Sequence, residues 1–421
     1  MALSEQEIRQ LTDEIVRKLS GIRPRMDDPA DGRAAAKPAE NGWLWDTADQ
    51  AVRAAKAAQA QLAALPLEKR GELISAMRKT AVENAEHLAR MAHEETGYGH
   101  VKHKVEKNLL VARRTPGIED LVTAAHTGDQ GMMLEERAPF GVIGSITPST
   151  NPTSTVINNS ISMIAAGNAV VFNPHPGAKR CSQETMRLLN EAIAAAGGPA
   201  SLITTVREPT PDSGQAIMLH PDIRLLSITG GEAVVQIAMK TGKKVIAAGP
   251  GNPPVIVDET ADIPAAARDI VDGASFDNNV LCICEKEVFA VSAIADRLME
   301  EMAKNGALRI YGQDIERVAA LTLKPQDGRH AANRKYVGRN AADILRDAGV
   351  VFQGNPRLVI AEVDANHPFV LTEMLMPVLP VVRVRDIDAA LEEAFRAEQG
   401  CSHSAMIHST NVHNMSRAAK R

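Results

Sequence analysis

The chain has 421 residues, with 47 Lys plus Arg against 52 Asp plus Glu, a formal charge of -5 and only 3% aromatic residues. Domains commonly run ~100–200 residues, so more than one core is expected, and interspersed charge with few stacking rings excludes a nucleic-acid binder, which needs a basic face. No secretory leader and no apolar run near the ~18 residues of a membrane span is found, and the four cysteines, Cys181, Cys282, Cys284 and Cys401, read as free thiols of a reducing, cytoplasmic compartment.

Leu3, Ile8, Leu11, Ile15, Val16 and Leu19 recur at three- and four-residue spacing among charged residues, which predicts an amphipathic helix over 1–20. Residues 21–42, with Pro24, Pro29, Gly32 and Pro38 among small and charged residues, bury too little apolar surface to order themselves and read as a flexible linker. The helix is therefore tethered. It is either a loosely docked extension or a peptide whose apolar stripe docks in a partner's groove. Its polar face mixes acids with bases, which argues against a membrane-surface role.

From Asp46 to Glu95 an Ala-rich stretch with helical spacing predicts two or three helices, stopping at Thr96-Gly97, where glycine suits a left-handed cap. Gly141–Ile146 reads as a buried strand, followed by the turn Thr147–Pro152 and a helix to Ala166. Strands at Ala169–Phe172, Leu202–Val206, Leu225–Thr229 and Val245–Ala248 then alternate with helices at Lys179–Ala195, Ser213–Leu219 and Ala233–Met239. Short apolar strands separated by helices imply a parallel sheet covered on both faces, of the doubly wound nucleotide-binding kind. A second series, Pro253–Val257, Glu285–Val291, Leu358–Val363, Val378–Val384 and Ala405–His408, implies a second α/β domain. The expected division is 43–252 and 253–421.

The run Phe276-Asp-Asn-Asn-Val-Leu-Cys-Ile-Cys-Glu-Lys-Glu-Val288 places two cysteines two residues apart before a strand. No second cysteine pair or His-x-x-x-His lies near it, so no metal site is expected. Taken alone, either cysteine could be a small buried hydrophobe. Gly230-Gly231-Glu232, opening a helix after a strand, lets backbone approach a pyrophosphate at a positive helix terminus, although it lacks the G-x-G-x-x-G pattern.

Several separated segments resemble the aldehyde dehydrogenase superfamily, and within it the CoA-acylating branch typified by the propionaldehyde and acetaldehyde dehydrogenases of bacterial microcompartments. They are Glu94-Glu-Thr-Gly97 with Lys107-Asn108, Thr115–Asp120, Pro139–Gly144, Thr147-Pro-Ser-Thr-Asn-Pro152, Phe276–Asn279 with Cys282, Glu285–Glu287, and Thr372-Glu-Met-Leu-Met-Pro377. The resemblance implies an aldehyde dehydrogenase-like α/β fold, a doubly wound nucleotide-binding domain plus a second α/β catalytic domain, and a homo-oligomer, dimer or tetramer. It implies Cys282 as nucleophile and Asn151 as oxyanion donor, with Pro148, Asn173, Gly230, Gly231 and Glu373 around an NAD cofactor. Asn151 alone would read as a turn residue before proline, and Glu373 as an ordinary loop carboxylate. At Phe172-Asn-Pro-His-Pro176 the chain departs from hydrolytic relatives, which carry a lysine and a glutamate where Asn173 and Pro176 stand.

Hydrolytic members deprotonate water with a glutamate in a Glu-Leu-Gly-Gly motif, and the corresponding run here is Ala247-Ala-Gly-Pro-Gly-Asn252. A methyl group at Ala247 cannot act as a base. A thiol ionises near ~8.5, far more readily than water, so transfer to coenzyme A is the chemistry left open. The expected reaction turns a short-chain aldehyde, CoA and NAD into acyl-CoA and NADH. The alternatives are a hydrolytic dehydrogenase, or a catalytically poor cargo protein recruited to a microcompartment shell by residues 1–20. The last stretch, Asn411–Arg421, reads as mid-helix, and the resemblance implies a chain that continues beyond it into an oligomerisation segment. Which aldehyde is used is not legible.

Overall fold

The structure is a computed structural model and describes residues 42–326 and 328–421. The helix expected over 1–20 and all but the last residue of the linker expected over 21–42 lie outside the described residues. Four helices open the described chain: α1 (Ala48–Ala63), α2 (Leu67–Glu83), α3 (Ala85–Thr96) and α4 (Val101–Arg114). A capping box between Thr47 and Gln50 starts α1, satisfying two backbone donors at once. Gly97, in the left-handed region at φ 69°, ends α3 as the sequence suggests. An antiparallel hairpin follows, β2 (Ala124–Gly128) with β3 (Gly131–Glu135), preceded in the chain by the short β1 (Leu44–Trp45).

The first sheet has six strands in the order β1-β6-β5-β4-β7-β8, with β4 (Val142–Thr147), β5 (Ala169–Pro174), β6 (Ile203–Val206), β7 (Ile223–Thr229) and β8 (Lys244–Ala248), all pairings parallel. Helices α5 (Pro152–Ala165), α6 (Lys179–Ala195), α7 (Pro211–Leu219) and α8 (Glu232–Met239) connect them. The strand β5 is buried at all six positions, as a parallel strand covered on both faces must be. Connections step outward from β4 in one direction through β5 and β6 and in the other through β7 and β8. The strand order therefore reverses between β4 and β7, the crevice where doubly wound sheets bind ligands.

The second sheet is also parallel and six-stranded, in the order β11-β14-β15-β10-β9-β16. Its strands are β9 (Pro254–Val257), β10 (Glu287–Val291), β11 (Ala307–Ile310), β14 (Leu358–Glu362), β15 (Val378–Val384) and β16 (Met406–His408). It carries α9 (Ile263–Ser275), α10 (Ala295–Lys304), α11 (Gln313–Thr322), α12 (Ala341–Asp347), α13 (Ile387–Glu398) and α14 (Val412–Lys420), and a side hairpin of β12 (Leu323–Gln326) with β13 (Arg329–Ala332). Sequence reasoning located the long buried strands within one or two residues of their ends and missed β1, β11 and both hairpins. The hairpins are mostly exposed and lack apolar alternation, so no periodicity marks them.

Candidate active site

Cys282 lies in the irregular segment between α9 and β10. Three consecutive non-glycine residues before it, Asp277, Asn278 and Asn279, take left-handed backbone at φ 48°, 54° and 63°. Such a run is strained and persists only where its surroundings over-determine it. Here they do. Asn279 Nδ2 donates to the carbonyls of Ala274 and Glu285, 2.8 and 2.9 Å away. Asn278 Nδ2 donates to the Gly338 carbonyl and to Asn340 Oδ1. The fully buried Lys286 spends its ammonium on Asn279 Oδ1 and on the carbonyls of Asn279 and Leu281, so one side chain holds the stretch leading into Cys282 from beneath.

The two neighbouring thiols differ in access. Cys284 is buried, and burial pushes its thiol up to about 11. Cys282 is half-buried and faces Glu373; burial first, and the Glu373 charge second, raise its thiol above the usual range, while Lys286 pulls the other way. A thiolate on Cys282 is therefore scarce at rest.

Asn151 sits at the N-cap of α5, immediately ahead of Pro152. Asparagine is favoured there for capping, yet this side chain makes no cap hydrogen bond. Instead Lys107 Nζ donates to Asn151 Oδ1 at 2.8 Å, and among the described residues Asn151 Nδ2 has only a long contact of 3.3 Å to Thr150 Oγ1. The same Lys107 ammonium donates to Asp277 Oδ2 at 2.5 Å, which Lys104 shares at 3.0 Å, while the His100 N–H donates to Oδ1 at 2.7 Å. The helix α4 thus buries lysines at i and i+3 on the face it turns to both motifs. The amide of Asn151 and the segment carrying Cys282 meet on one ammonium.

On the other side of Cys282 lies the connection between β8 and β9. The Gly251 N–H donates to Glu373 Oε1 at 3.3 Å. A Cβ on Gly251 would stand 2.9 Å from the Cys282 carbonyl oxygen and 3.0 Å from the His403 ring, so only glycine fits this junction. Burial raises the Glu373 carboxyl above its ordinary value. Cys282, Glu373, Gly251 and His403 therefore form one cluster, and Ala247 lies on β8 just upstream of it, opposite Ile228 of β7. Sequence reasoning missed Lys107 as a site residue, although it quoted it as a family motif, and missed His403 outright. A lone loop histidine carries no pattern that could have singled it out.

Of the residues expected around a nucleotide, Pro148 follows β4, and Gly230 and Gly231 follow β7, on the two sides of the switch point. The Gly230 N–H donates to the Ala248 carbonyl, and Gly231, the residue before α8, has nothing within 4 Å of where a Cβ would be. Open space before a helix N-terminus at this crevice suits an anionic group, so the residues present fit a dinucleotide pyrophosphate. Asn173 is placed differently. It is buried on β5, its Nδ2 donates to the Thr210 carbonyl and its Oδ1 accepts from Ser213 Oγ, so both ends of its amide tie β5 to the start of α7. Among the described residues no group of three or more His, Cys, Asp or Glu is placed to hold a metal ion, and no helix is long and apolar enough to cross a membrane.

Comparison with known proteins gives a consistent set of matches. The model of the aldehyde dehydrogenase family matches residues 25–421. An acetaldehyde dehydrogenase (acetylating) of Bilophila wadsworthia is 46% identical, over 100% of this chain and 88% of its own. A propionaldehyde dehydrogenase from the Clostridium phytofermentans fucose utilisation bacterial microcompartment superposes with a TM-score of 0.87 at 47% identity, covering 90% of this chain and 86% of that one. A Rhodopseudomonas palustris propionaldehyde dehydrogenase, solved with bound CoA and an acylated cysteine, gives a TM-score of 0.87 at 44% identity with the same coverage.

Proposed function

The chain belongs to the aldehyde dehydrogenase family, and from that premise we propose that it is a CoA-acylating aldehyde dehydrogenase, converting a short-chain aldehyde, CoA and NAD to acyl-CoA and NADH. The observation that carries this reading is a half-buried Cys282 on a locked segment against Gly251, in a chain whose Ala247, on the β8 that leads to that glycine, offers no carboxylate to activate water.

The Cys282 thiol loses its proton to water, and the thiolate adds to the aldehyde carbon, forming a C–S bond as the carbonyl π bond breaks and leaves the negative charge on the former carbonyl oxygen. Asn151 Nδ2 and the Cys282 N–H are the donors for that oxyanion, set in place before charge develops. The oxyanion then re-forms its double bond as the C–H bond breaks and hydride departs, leaving a thioester on Cys282. The nicotinamide, when bound, accepts that hydride. Pro148, Gly230 and Gly231 would line its crevice, and Glu373 would hold its ribose. Attack by the CoA thiolate on the thioester carbon expels the Cys282 thiolate and regenerates the enzyme.

Intact-mass analysis after incubation with propionaldehyde and NAD, CoA withheld, tests the covalent step. A propionyl adduct that maps to Cys282, disappears in Cys282→Ala and is discharged by CoA is the expected result. An adduct on Cys284 would overturn the assignment.

Met132, Met133 and Leu134 on β3 are 69%, 58% and 60% exposed, a patch that suits a homo-oligomer, dimer or tetramer, built on the β2–β3 hairpin. Residues 1–20 would recruit the enzyme from the cytoplasm to a microcompartment shell protein; their deletion should release a reporter from the shell, and unchanged localisation would refute that role.

A further inference from the structure

The buried charges behind the oxyanion donor do not balance. Asp277 is fully buried, and two buried lysines converge on it, Lys104 and Lys107. His103, on the same helix, accepts from the Asp277 N–H, and burial lowers its pKa, which favours the neutral ring, so it brings no negative charge to offset the second ammonium. One carboxylate thus faces two ammonium groups. Lys104, with the His100 N–H on the other oxygen, already satisfies Asp277. An isolated buried charge is expensive, so a surplus ammonium needs a reason to be there. Its burial cost is visible in Lys107 itself, whose pKa is lowered to about 8 by desolvation first and by Lys104 second.

The contact that distinguishes Lys107 from Lys104 is the one to Asn151. An amide has an acceptor edge and a donor edge, and either can face a given partner when the group turns over. An ammonium has donors only, so with Lys107 Nζ 2.8 Å from Oδ1 the orientation is fixed and Nδ2 is the edge left over. Among the described residues no strong acceptor competes for Nδ2, since its one contact there, to Thr150 Oγ1, is 3.3 Å long. A positive charge against the oxygen of an amide also draws electron density from its nitrogen, which makes the Nδ2–H a better donor.

We propose that Lys107 is a positioning residue for the oxyanion step, holding Asn151 Oδ1 so that the amide presents a polarised Nδ2–H to the developing charge. The inference rests on Asn151 being the oxyanion donor. It accounts for the surplus lysine, for a capping-type asparagine that does not cap, and for the bridge from α4 to both Asn151 and the segment bearing Cys282.

The test is a double-mutant cycle read by kcat and melting temperature. Lys107→Met removes the surplus charge and leaves Asp277 paired with Lys104. It should lower kcat roughly tenfold, less than the ~100-fold or more for losing an oxyanion donor outright, with KM for CoA unchanged and melting temperature held or raised. Lys107→Arg, which keeps the donors, should restore most of the rate. Asn151→Ala should be slow, and adding Lys107→Met to it should slow it no further, because the lysine then has nothing left to orient. Full additivity in the double variant, or a kcat loss in Lys107→Met that merely follows lost stability, would overturn the proposal. An unimpaired Asn151→Ala would instead bring down the oxyanion assignment on which it rests.

Discussion

The two sides of the reaction centre are built differently. On the nucleophile side, Asp277–Val280 and Lys286 are buried, and the stretch is held by lysines of α4, by the Gly338 carbonyl and the Asn340 side chain, and by Lys286 itself. On the cofactor side, α8 buries only Ala238, β8 has no fully buried position, and Ile237, Met239 and Ile246 stand 48%, 59% and 60% exposed. A sulfur that must meet a carbonyl carbon within a fraction of an ångström needs preorganisation. A dinucleotide that must enter and leave each turnover suits an edge of lower local stability. Substitutions should therefore cost stability on the first side and cofactor affinity on the second.

The largest effect is expected for Asp277→Ala, which strands two buried ammonium groups. Breaking a buried pair from one side costs about 3–5 kcal/mol, so denaturant unfolding should show a loss in that range; a change within ~0.5 kcal/mol would mean the nucleophile side is not held as described. Gly251→Ala comes next. Its Cβ would press on the Cys282 carbonyl oxygen and the His403 ring, so the nucleophile shifts: kcat should fall by well over tenfold and the melting temperature should drop with it. Retained kcat would place the junction elsewhere.

Glu373→Gln links the two sides through charge. Burial and the Glu373 carboxylate both raise the Cys282 thiol, so removing the carboxylate should lower it and raise the thiolate fraction. Glu373 acts only when ionised, and its own pKa is raised by burial. The gain in iodoacetamide reactivity over the native enzyme should therefore be absent in mild acid and grow as pH rises through the Glu373 titration. A ratio independent of pH would contradict the electrostatic link. The smallest effect is expected for Gly231→Ala, where φ is -66° and the Cβ meets open space: stability within ~0.5 kcal/mol of the native enzyme, with KM for NAD raised. A stability loss there would erase the contrast between the two sides.

Legibility in the sequence follows apolar periodicity rather than that division. Helix α6, Lys179–Ala195, and strand β15, Val378–Val384, were bounded to the residue because apolar periodicity and burial coincide in them. Cys282, Asn151 and Glu373 came from a family resemblance, since in themselves each has an ordinary alternative. The Lys107 bridge was not legible: its partners lie 44 and 170 residues away, and a helix that buries lysines breaks the rule that apolar residues face inward. Asn173 was expected against the cofactor, and its amide is spent on Thr210 and Ser213, contacts that only the fold brings together.

The most direct measurement is NADH formed per enzyme site from propionaldehyde and NAD, followed in time with CoA withheld and then added. With Ala247 where a water-activating carboxylate would stand, the expected result is a burst of at most one NADH per site, arrest at the Cys282 thioester, and sustained turnover on adding CoA. Continuous NADH production with release of free propionate in the absence of CoA would contradict it.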